Sequence, residues 1–514
     1  MKRIETQSGN AISRRTFLYG AALAAAGLAT GFQDLFGAVT ETLYVPRPNK
    51  AQYVLRIAPT TLDPDGKQNV AGVTANGIFP GPEIRVREGD QLRIRVENLL
   101  RQPTSIHWHG LLVPAGMDGV PGVSNDPIAA GRVFVYEFPI RQTGTYWYHS
   151  HSDMQEQIGL AGPFVIEEAS ASSDIDHDAV IMISDWLHRS PEQVWNTLRQ
   201  TSQRAGSTIQ SGMPMGAMQP KNKMPIRSGT PGMAMMTEQK KAAGSRAMSG
   251  VDLSDITYDA FLINGRSNAN PWRLKARPGE RIRLRFINAG ASTYFRLRLD
   301  GIPLQITHAD GLAVRPVTVD HLLIGMAECY DAVVSLPSSG SYTLHAVAQD
   351  GSGQAVGVLH TPDVAPMSNP RMPAFVGRAL SYADLRAEAP TTLPAGPPRS
   401  FRLALQGDMS RYIWTIGGQA YPNADPLLIR QGDRVEVEMN NETMMWHPMH
   451  LHGHFFRVLQ GAGELSPLKH TVNVGPRETV KFEFIADNPG RWIFHCHNLY
   501  HLEAGMARVF EYQA

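Results

Sequence analysis

The stretch Arg491–Met506 reads RWIFHCHNLYHLEAGM and has an unusual density of metal-binding side chains. Successive side chains of a β-strand point to opposite faces of the sheet. On a strand, Cys496 therefore faces one way, while His495 and His497 face the other. A metal held by the Cys496 thiolate would be connected, through two short backbone paths, to any metal that the flanking histidines bind.

The same stretch supplies most of a blue electron-transfer copper site. Such a site uses a thiolate, two imidazoles and a weak axial thioether. Cys496, His501 and Met506 provide three of these four ligands, and His447 is the candidate for the second imidazole. The alternative, a buried cysteine among unrelated histidines, does not explain so many ligands in so short a stretch.

An internal repeat predicts three related modules. Each copy has a Gly-containing turn followed by an alternating strand that leads to asparagine, and the three strands are Gln91–Glu97, Arg281–Ile287 and Arg434–Met439. Short alternating segments separated by Gly, Pro, Asn and Asp favour β-sandwiches over helices. We therefore predict an all-β chain of three consecutive β-sandwich domains, at about 43–170, 173–365 and 398–514.

Two segments interrupt this repeat. Ser190 and Gln193 form a capping-box pattern around Pro191, which predicts a helix to about Arg204. A Met-rich insertion over 205–250 follows, lacks periodicity and is predicted to be a loop. The Pro-rich stretch 366–397 is predicted to link the second and third domains.

The two outer modules carry His-x-His pairs at equivalent repeat positions. On a strand, both imidazoles of such a pair lie on one face. The pairs are His107 with His109, His149 with His151, His450 with His452, and His495 with His497. The middle module has Leu297 and Leu299 at one of these positions and a single histidine, His345, at the other. Eight imidazoles exceed the needs of one copper and suit three coppers that share a site between the outer modules.

Composition limits the partners and the compartment. The 514 residues include 48 basic and 47 acidic side chains, and this balance gives no indication of a nucleic-acid partner. Two cysteines provide no disulfide framework. Arg14 and Arg15 precede a mild Ala/Gly/Leu stretch that is too short and too weakly apolar for a membrane span. Residues 1–38 are therefore predicted to be a twin-arginine export peptide, and we expect an exported monomer without a transmembrane segment.

The chain resembles the multicopper oxidases, and among them the bacterial periplasmic copper-resistance oxidases. The resemblance spans nearly the whole chain after the export peptide. It rests on HWHG at 107–110, GTYWYHSH at 144–151, HPMHLHGH at 447–454 and HCHNLYHLEAGM at 495–506. It implies three cupredoxin-like Greek-key β-sandwich domains, a periplasmic location and a cofactor of four copper ions.

The resemblance also implies which residues serve each copper. The type 1 ligands would be His447, Cys496, His501 and Met506; the type 2 ligands His107 and His450; and the type 3 ligands His109, His149, His151, His452, His495 and His497. Asp118 matches an acidic residue that delivers protons to the cluster in this family. Many members carry a second acid just after the last type 1 histidine; this chain has Leu502 there, which leaves Glu503 and Asp487 as candidates.

We expect an oxidase that passes single electrons from a donor, through Cys496, His495 and His497, to dioxygen, which is reduced to water. The donor predicted first is Cu(I), because thioether sulfur prefers it. Met444, Met445 and Glu442 lie just before His447 and would bind it. Two alternatives remain open: a laccase-like oxidase of phenols, other small reductants or Fe(II), and a copper-sequestering protein.

Overall fold

The computed structural model describes residues 50–169, 174–210, 253–369 and 371–513, and the side chains of all of these except 50 and 201–210. The predicted export peptide and nearly all of the Met-rich insertion lie outside them. No helix within these ranges combines the length and the apolar character that a membrane span requires.

Residues 50–169 form a pair of four-stranded sheets. The strands are β1 Lys50–Leu62, β2 Val70–Ala75, β3 Ile84–Arg87, β4 Gln91–Asn98, β5 His107–His109, β6 Val133–Pro139, β7 Gly144–His149 and β8 Ala161–Glu167. One sheet has the order β2-β1-β4-β6 and the other the order β3-β8-β7-β5. Buried apolar side chains from both sheets form one core cluster, so the pair is a sandwich.

Residues 174–369 form the second pair of sheets. Its strands are β9 His177–Trp186, β10 Ala260–Ile263, β11 Trp272–Lys275, β12 Arg281–Asn288, β13 Phe295–Leu299, β14 Leu304–Ala309, β15 Leu312–Val319, β16 Leu322–Ile324, β17 Cys329–Ser335, β18 Ser341–Ala348 and β19 Gln354–His360. The sheet orders are β10-β9-β12-β17-β14-β15 and β11-β19-β18-β13-β16. Helix α1, Pro191–Gln210, leaves the sandwich after β9.

Residues 399–513 form the third pair. Its strands are β20 Arg399–Asp408, β21 Ile413–Ile416, β22 Leu427–Arg430, β23 Arg434–Asn441, β24 His447–Leu451, β25 Phe456–Val458, β26 Leu468–Lys469, β27 Thr471–Val474, β28 Thr479–Ile485, β29 Arg491–Cys496 and β30 Ala507–Gln513. The sheet orders are β21-β20-β23-β28-β25-β26 and β22-β30-β29-β24-β27. Helix α2, Leu499–Glu503, lies between β29 and β30.

The three pairs of sheets repeat one topology, which confirms the predicted all-β fold of three sandwiches. The predicted repeat strands are β4, β12 and β23, and each pairs in parallel with the first strand of its own sandwich. In β4, Leu92, Ile94 and Val96 are buried while the intervening residues are more exposed, as alternation requires. We retain 43–170, 173–365 and 398–514 as the proposed domain limits.

The middle sandwich has the same strand pair that carries the histidines elsewhere. Strand β13 pairs with β18 as β5 pairs with β7 and β24 with β29. Leu297 lies opposite Ala346 and Leu299 opposite Leu344, and all four are buried. Apolar packing therefore replaces the ligands, in agreement with the sequence.

The helices agree with the sequence only in part. Helix α1 begins as predicted: Ser190 N–H donates to Gln193 Oε1 at 3.1 Å, and Gln193 N–H donates to Ser190 Oγ at 3.3 Å. It continues to Gln210 rather than ending at Arg204. Helix α2 was not predicted, because five residues are too few for a periodic signal.

The Pro-rich stretch 366–397 lies against the middle sandwich. Short β-bridges join Ala379 to His321 and Ala387 to Val314. Arg298 Nη1 also donates to the carbonyl of Ala374 at 2.9 Å. The predicted linker is therefore tied to its neighbour by backbone and side-chain hydrogen bonds.

Candidate metal centres

Pairing of strands places the predicted ligands side by side. In the first sandwich, His107 of β5 lies opposite His149 of β7. In the third, His450 of β24 lies opposite His495 of β29, one residue from Cys496. Because neighbouring strands are about 5 Å apart, each pairing brings imidazoles within reach of a shared ion.

The first centre is a thiol with two imidazoles. Cys496 Sγ lies 3.7 Å from His447 Nδ1 and 3.7 Å from His501 Nδ1, and the two nitrogens are 3.2 Å apart. All three side chains are completely buried. Met506 is also buried, and its carbonyl accepts a hydrogen bond from the Cys496 N–H at 3.0 Å. The structure thus brings together the side chains of three of the four residues predicted for a blue copper, and the backbone of the fourth, Met506, adjoins Cys496.

Helix α2 returns the chain to this centre. Asn498 caps the helix, and its side-chain oxygen accepts from the N–H groups of Tyr500 at 3.1 Å and His501 at 3.4 Å. The turn after β29 places His501 back against Cys496 of the same strand. One indole face, that of Trp414, stacks on the His501 ring with centroids 3.9 Å apart.

The second centre is a cluster of histidines from the first and third sandwiches. Within it, groups of three residues each offer ligand atoms that lie within 4.8 Å of one another. These groups are His107, His450 and His452; His109, His149 and His497; His151, His452 and His495; and His109, His450 and His470. All eight histidines of the predicted pairs are included. The sequence did not indicate His470, which belongs to no His-x-His pair.

The orientation of these rings fits metal ligation. The Nδ1 atoms of His107, His450 and His495 lie 2.7–3.0 Å from the main-chain carbonyls of Asp118, His470 and Cys496. A ring that donates from Nδ1 directs the lone pair of Nε2 away from that carbonyl. The Nε2 atoms of His107, His149, His151, His450 and His497 are buried and have no hydrogen-bond partner. Buried orphan acceptors are costly, and imidazole nitrogen is a good ligand for copper.

Burial also keeps these imidazoles unprotonated, as metal binding requires. Desolvation, reinforced by neighbouring imidazoles, holds the pKa well below 6.5 for His109, His149, His151, His447, His450, His452, His495 and His497. These rings are therefore neutral near pH 7. Burial raises the pKa of the Cys496 thiol, so metal binding there releases a proton.

Asp118 connects histidines from the two sandwiches. Its Oδ2 accepts from His452 Nδ1 at 2.9 Å, and its Oδ1 lies 3.2 Å from His107 Nδ1. The side chain is 1% exposed. Gly119 follows at φ +83°, and a Cβ there would lie 1.9 Å from the carbonyl oxygen of Ile106. Only glycine lets this turn pack so closely against β5.

Glu156 is a second buried carboxyl that the sequence did not indicate. Its Oε2 lies 2.7 Å from His149 Nδ1. Burial raises the pKa of Glu156 to about 8. Together with His151, His495 and His497 it lines a cavity of about 20 Å³, enough for one water. Because the residue lies in an irregular turn after β7, no periodicity could have identified it.

The two acids predicted as alternative proton carriers lie in different places. Glu503 borders the same cavity, and partial burial together with Asp153 raises its pKa. Asp487 is exposed on the protein surface. Only Glu503 therefore lies where it could exchange protons with the histidine cluster.

Two further side chains support the imidazoles of the thiol centre. Thr443 Oγ1 lies 2.8 Å from His447 Nε2. Asp255 Oδ2 lies 3.3 Å from His501 Nε2. Each ring is thus held at the nitrogen that points away from Cys496. Asp255 was not predicted, because it follows the Met-rich insertion in a stretch without a motif.

The predicted substrate residues differ in accessibility. Glu442 is exposed and accepts from Gln406 Nε2 at 2.8 Å. Met444 is partly exposed. Met445 is only 6% exposed and belongs to the apolar core. Of the two methionines predicted to bind the substrate, Met444 is therefore the more accessible.

Three residues that the sequence left outside the centres are satisfied elsewhere. His345 lies 2.9 Å from Gln354 Oε1 and 3.2 Å from Asp300 Oδ2 through its two ring nitrogens. His454 Nε2 lies 2.7 Å from the Tyr512 hydroxyl. Cys329 is a buried free thiol whose pKa is raised by burial. These contacts account for them as structural residues.

Comparisons with known proteins show which family the chain resembles along nearly its whole length. Models of the multicopper oxidase family match residues 56–171, 177–362 and 394–514. A copper resistance protein A homolog of Pseudomonas syringae pv. tomato is 32% identical over 96% of this chain and 98% of its own. Multicopper oxidase MmcO of Mycobacterium tuberculosis is 35% identical over 98% of both chains. Among solved structures, Fet3p, a multicopper oxidase that functions in iron import, aligns with a TM-score of 0.74 at 21% identity over 90% of both chains.

Proposed function

The chain belongs to the multicopper oxidase family, and from the geometry of its two centres we propose that it oxidises Cu(I) to Cu(II) and reduces dioxygen to water, in copper tolerance. Four electrons from four Cu(I) ions, with four protons, convert one dioxygen to two waters. The observation that carries this proposal is the placement of Cys496 between His495 and His497, which links a thiol centre to a histidine cluster.

We assign four coppers to these residues. One type 1 ion would be held by His447, Cys496, His501 and Met506, one type 2 ion by His107 and His450, and a type 3 pair by His109, His149, His151, His452, His495 and His497. Copper, when bound, supplies the one-electron steps and the site of dioxygen reduction.

Cys496 has three short connections to the histidine cluster. Two run along the backbone to His495 and to His497. A third runs through a hydrogen bond, because His495 Nδ1 donates to the Cys496 carbonyl at 3.0 Å. Electrons that enter at the thiol centre thus reach the cluster without crossing solvent.

Asp118 is the residue that we assign to proton delivery. It is buried, it accepts from His452 Nδ1, and it lies beside His107, so a proton on Oδ1 or Oδ2 would be held at the cluster itself. In the copper-loaded protein, Asp118→Asn should slow reoxidation by dioxygen more than reduction of the type 1 copper. Equal slowing of both steps would remove Asp118 as a proton carrier.

Cu(I) is favoured as the donor by the surface around the thiol centre. The thioether of Met444 and the carboxylate of Glu442 lie three and five residues before His447, and both reach solvent. The described residues on either side of the Met-rich insertion also approach this centre: Trp195 of α1 packs against Tyr412, and Asp255 contacts His501. A soft thioether next to the proposed electron entry point favours Cu(I) over an organic reductant.

Oxygen uptake by the copper-loaded protein tests this proposal. We expect a much higher kcat/KM for Cu(I) than for a phenol, and a selective loss of Cu(I) turnover in Met444→Ala. Met367, which is 70% exposed and lies in the 366–397 stretch, provides the matched control Met367→Ala. A preference for the phenol that is unchanged in Met444→Ala would support the laccase-like alternative. The stretch His501–Gly505 also resembles the corresponding stretch of laccases.

Deletion of residues 212–249 separates oxidation from sequestration. Oxidation predicts that four coppers are retained and that Cu(I) turnover falls. Storage predicts a large fall in bound copper beyond these four. If neither quantity changes, the insertion has no role with copper.

We also propose that the protein is exported to the periplasm through the twin-arginine route, with removal of residues 1–38, and acts there as a monomer. Arg14 and Arg15 carry this proposal. Replacing both by lysine should retain the full-length chain inside the cell. Export of that variant at the normal rate would contradict the route.

A further inference from the structure

The turn between β20 and β21 contains a large side chain in an unfavourable backbone conformation. Tyr412, the last residue of this turn, has φ +51°, in the left-handed region. Glycine or asparagine adopts this region easily, whereas a bulky residue there is an outlier whose backbone is strained. Local backbone preference therefore does not explain why tyrosine occupies this position, and the reason must lie in its side chain.

The Tyr412 side chain is buried between aromatic residues and directed at a carboxylate. It is 2% exposed, and its ring meets Trp414 edge-on at 6.3 Å and Trp195 of α1 at 5.8 Å. Its hydroxyl donates to Asp255 Oδ2 at 2.8 Å. Burial, followed by the charge of Asp255, raises the pKa of Tyr412 well above 10, so the hydroxyl keeps its proton.

The same oxygen of Asp255 contacts His501. Asp255 Oδ2 lies 3.3 Å from His501 Nε2, and the Asp255 side chain is 5% exposed. When Nε2 donates to this carboxylate, His501 Nδ1 carries the free lone pair. That is the nitrogen 3.7 Å from Cys496 Sγ. One carboxylate oxygen thus receives a tyrosine hydroxyl on one side and a ligand imidazole on the other.

We propose that Tyr412 is a positioning residue of the type 1 site, which acts through Asp255 to fix the ring and tautomer of His501 and so to set the copper potential. This inference rests on the proposed function. A carboxylate next to a ligand imidazole makes the ring more basic and places a negative charge near the metal. Both effects favour Cu(II) over Cu(I), so loosening this carboxylate should raise the potential.

A purely structural role makes a different prediction. If Tyr412 only fills the space between α1 and β21, the ring is sufficient. Tyr412→Phe would then lower stability slightly and leave the type 1 copper unchanged. Trp414 stacks on His501 in either case, so the stacking does not depend on the hydroxyl.

The experiment is a redox titration of the blue absorption in wild type, Tyr412→Phe, Asp255→Asn and the double variant. At the applied potential at which half of the wild-type type 1 copper is reduced, we expect the Cu(I)/Cu(II) ratio to be roughly tenfold higher in Asp255→Asn than in the wild type, and several-fold higher in Tyr412→Phe. The double variant should match Asp255→Asn alone, because Tyr412 acts through that carboxylate.

Tyr53→Phe is the matched control. Tyr53 is a buried tyrosine of the first sandwich, whose hydroxyl donates to the Arg85 carbonyl at 2.6 Å. Tyr53→Phe should lower the thermal stability of the metal-free protein about as much as Tyr412→Phe does, without shifting the reduction potential of the type 1 copper.

Distinct outcomes separate the two proposals. An unshifted potential in Tyr412→Phe, or shifts that add in the double variant, would overturn the role of Tyr412. An unshifted potential in Asp255→Asn would overturn it as well, even if Tyr412→Phe does not fold. A copper-loaded wild type without blue absorption would instead refute the proposed function.

Discussion

Replacing Asp118 by asparagine should weaken the histidine cluster selectively. In the wild type, the carboxylate accepts from His452 Nδ1 at 2.9 Å, whereas His107 Nδ1 is bonded to the main-chain carbonyl of Asp118 at 2.9 Å. The substitution keeps the carbonyl and therefore the His107 bond. It removes the negative charge of the carboxylate that faces His452. If the oxygen of the new amide faces His452, the NH2 group of that amide faces His107.

The expected magnitude follows from these contacts. A hydrogen bond to a charged group contributes about 1.5–3 kcal/mol and one to a neutral group about 0.5–1.5 kcal/mol. Asp118→Asn replaces the stronger bond by the weaker one. Because loss of the partner of a metal-ligating imidazole typically costs about 10- to 100-fold in metal affinity, we expect Asp118→Asn to cost roughly tenfold. Asp118→Ala should cost more, because it leaves the buried His452 Nδ1–H without an acceptor.

The assay is copper content after dialysis against graded chelator, combined with electron paramagnetic resonance of the type 2 signal. We expect the proposed type 3 pair, to which we assign His452, to be lost at lower chelator concentration than the proposed type 2 ion, to which we assign His107 and His450. At a given chelator concentration, the amount of copper lost should increase from the wild type to Asp118→Asn and again to Asp118→Ala. Equal retention in all three proteins, or earlier loss of the type 2 ion, would refute the reasoning.

Three other outcomes follow from the same geometry. Cys496→Ser should abolish the blue absorption and donor-driven oxygen uptake while the histidine cluster keeps its copper; persisting uptake would rule out the electron path. Met445→Ala should lower the free energy of unfolding by about 2–5 kcal/mol, because it leaves a cavity in the core, whereas Met444→Ala should lower it by less than about 1 kcal/mol. Similar losses for the two variants in denaturant titrations would contradict the difference in burial between the two residues. The pKa of Glu156 is about 8 against an ordinary 4.5, so between these pH values the folded protein holds a proton that the unfolded chain has lost. The stability of the metal-free protein should therefore fall as pH rises through this window, and the fall should be smaller in Glu156→Gln. An unchanged pH profile of stability in Glu156→Gln would exclude this titration.

The repeat and the histidine pairs that cluster in the structure could be predicted from the sequence because both depend on local pattern. Alternation identified β4, β12 and β23, and His-x-His spacing alone indicates two imidazoles on one face of a strand. The capping pattern at Ser190 likewise marked the start of α1. Each of these signals lies within a few consecutive residues.

The supporting residues could not be predicted because only tertiary structure brings them to the centres. Asp255 is separated by 246 positions from His501, which it contacts, and Glu156 lies in an irregular turn. His470 belongs to no pair and reaches the cluster because β27, which it directly precedes, pairs with β24. Met445 looked equivalent to Met444 in sequence, and only the course of the chain before β24 shows that one is buried and the other is not.

The contact between His452 and Asp118 joins residues 334 positions apart, which has a consequence for biosynthesis. At about 5–20 residues per second, the ribosome needs roughly 17–67 s to make the chain between them. During that interval the histidines of the first sandwich exist without the histidines of the third sandwich that lie beside them in the folded protein. A cluster built from both sandwiches can therefore be completed only after His497 has been synthesised.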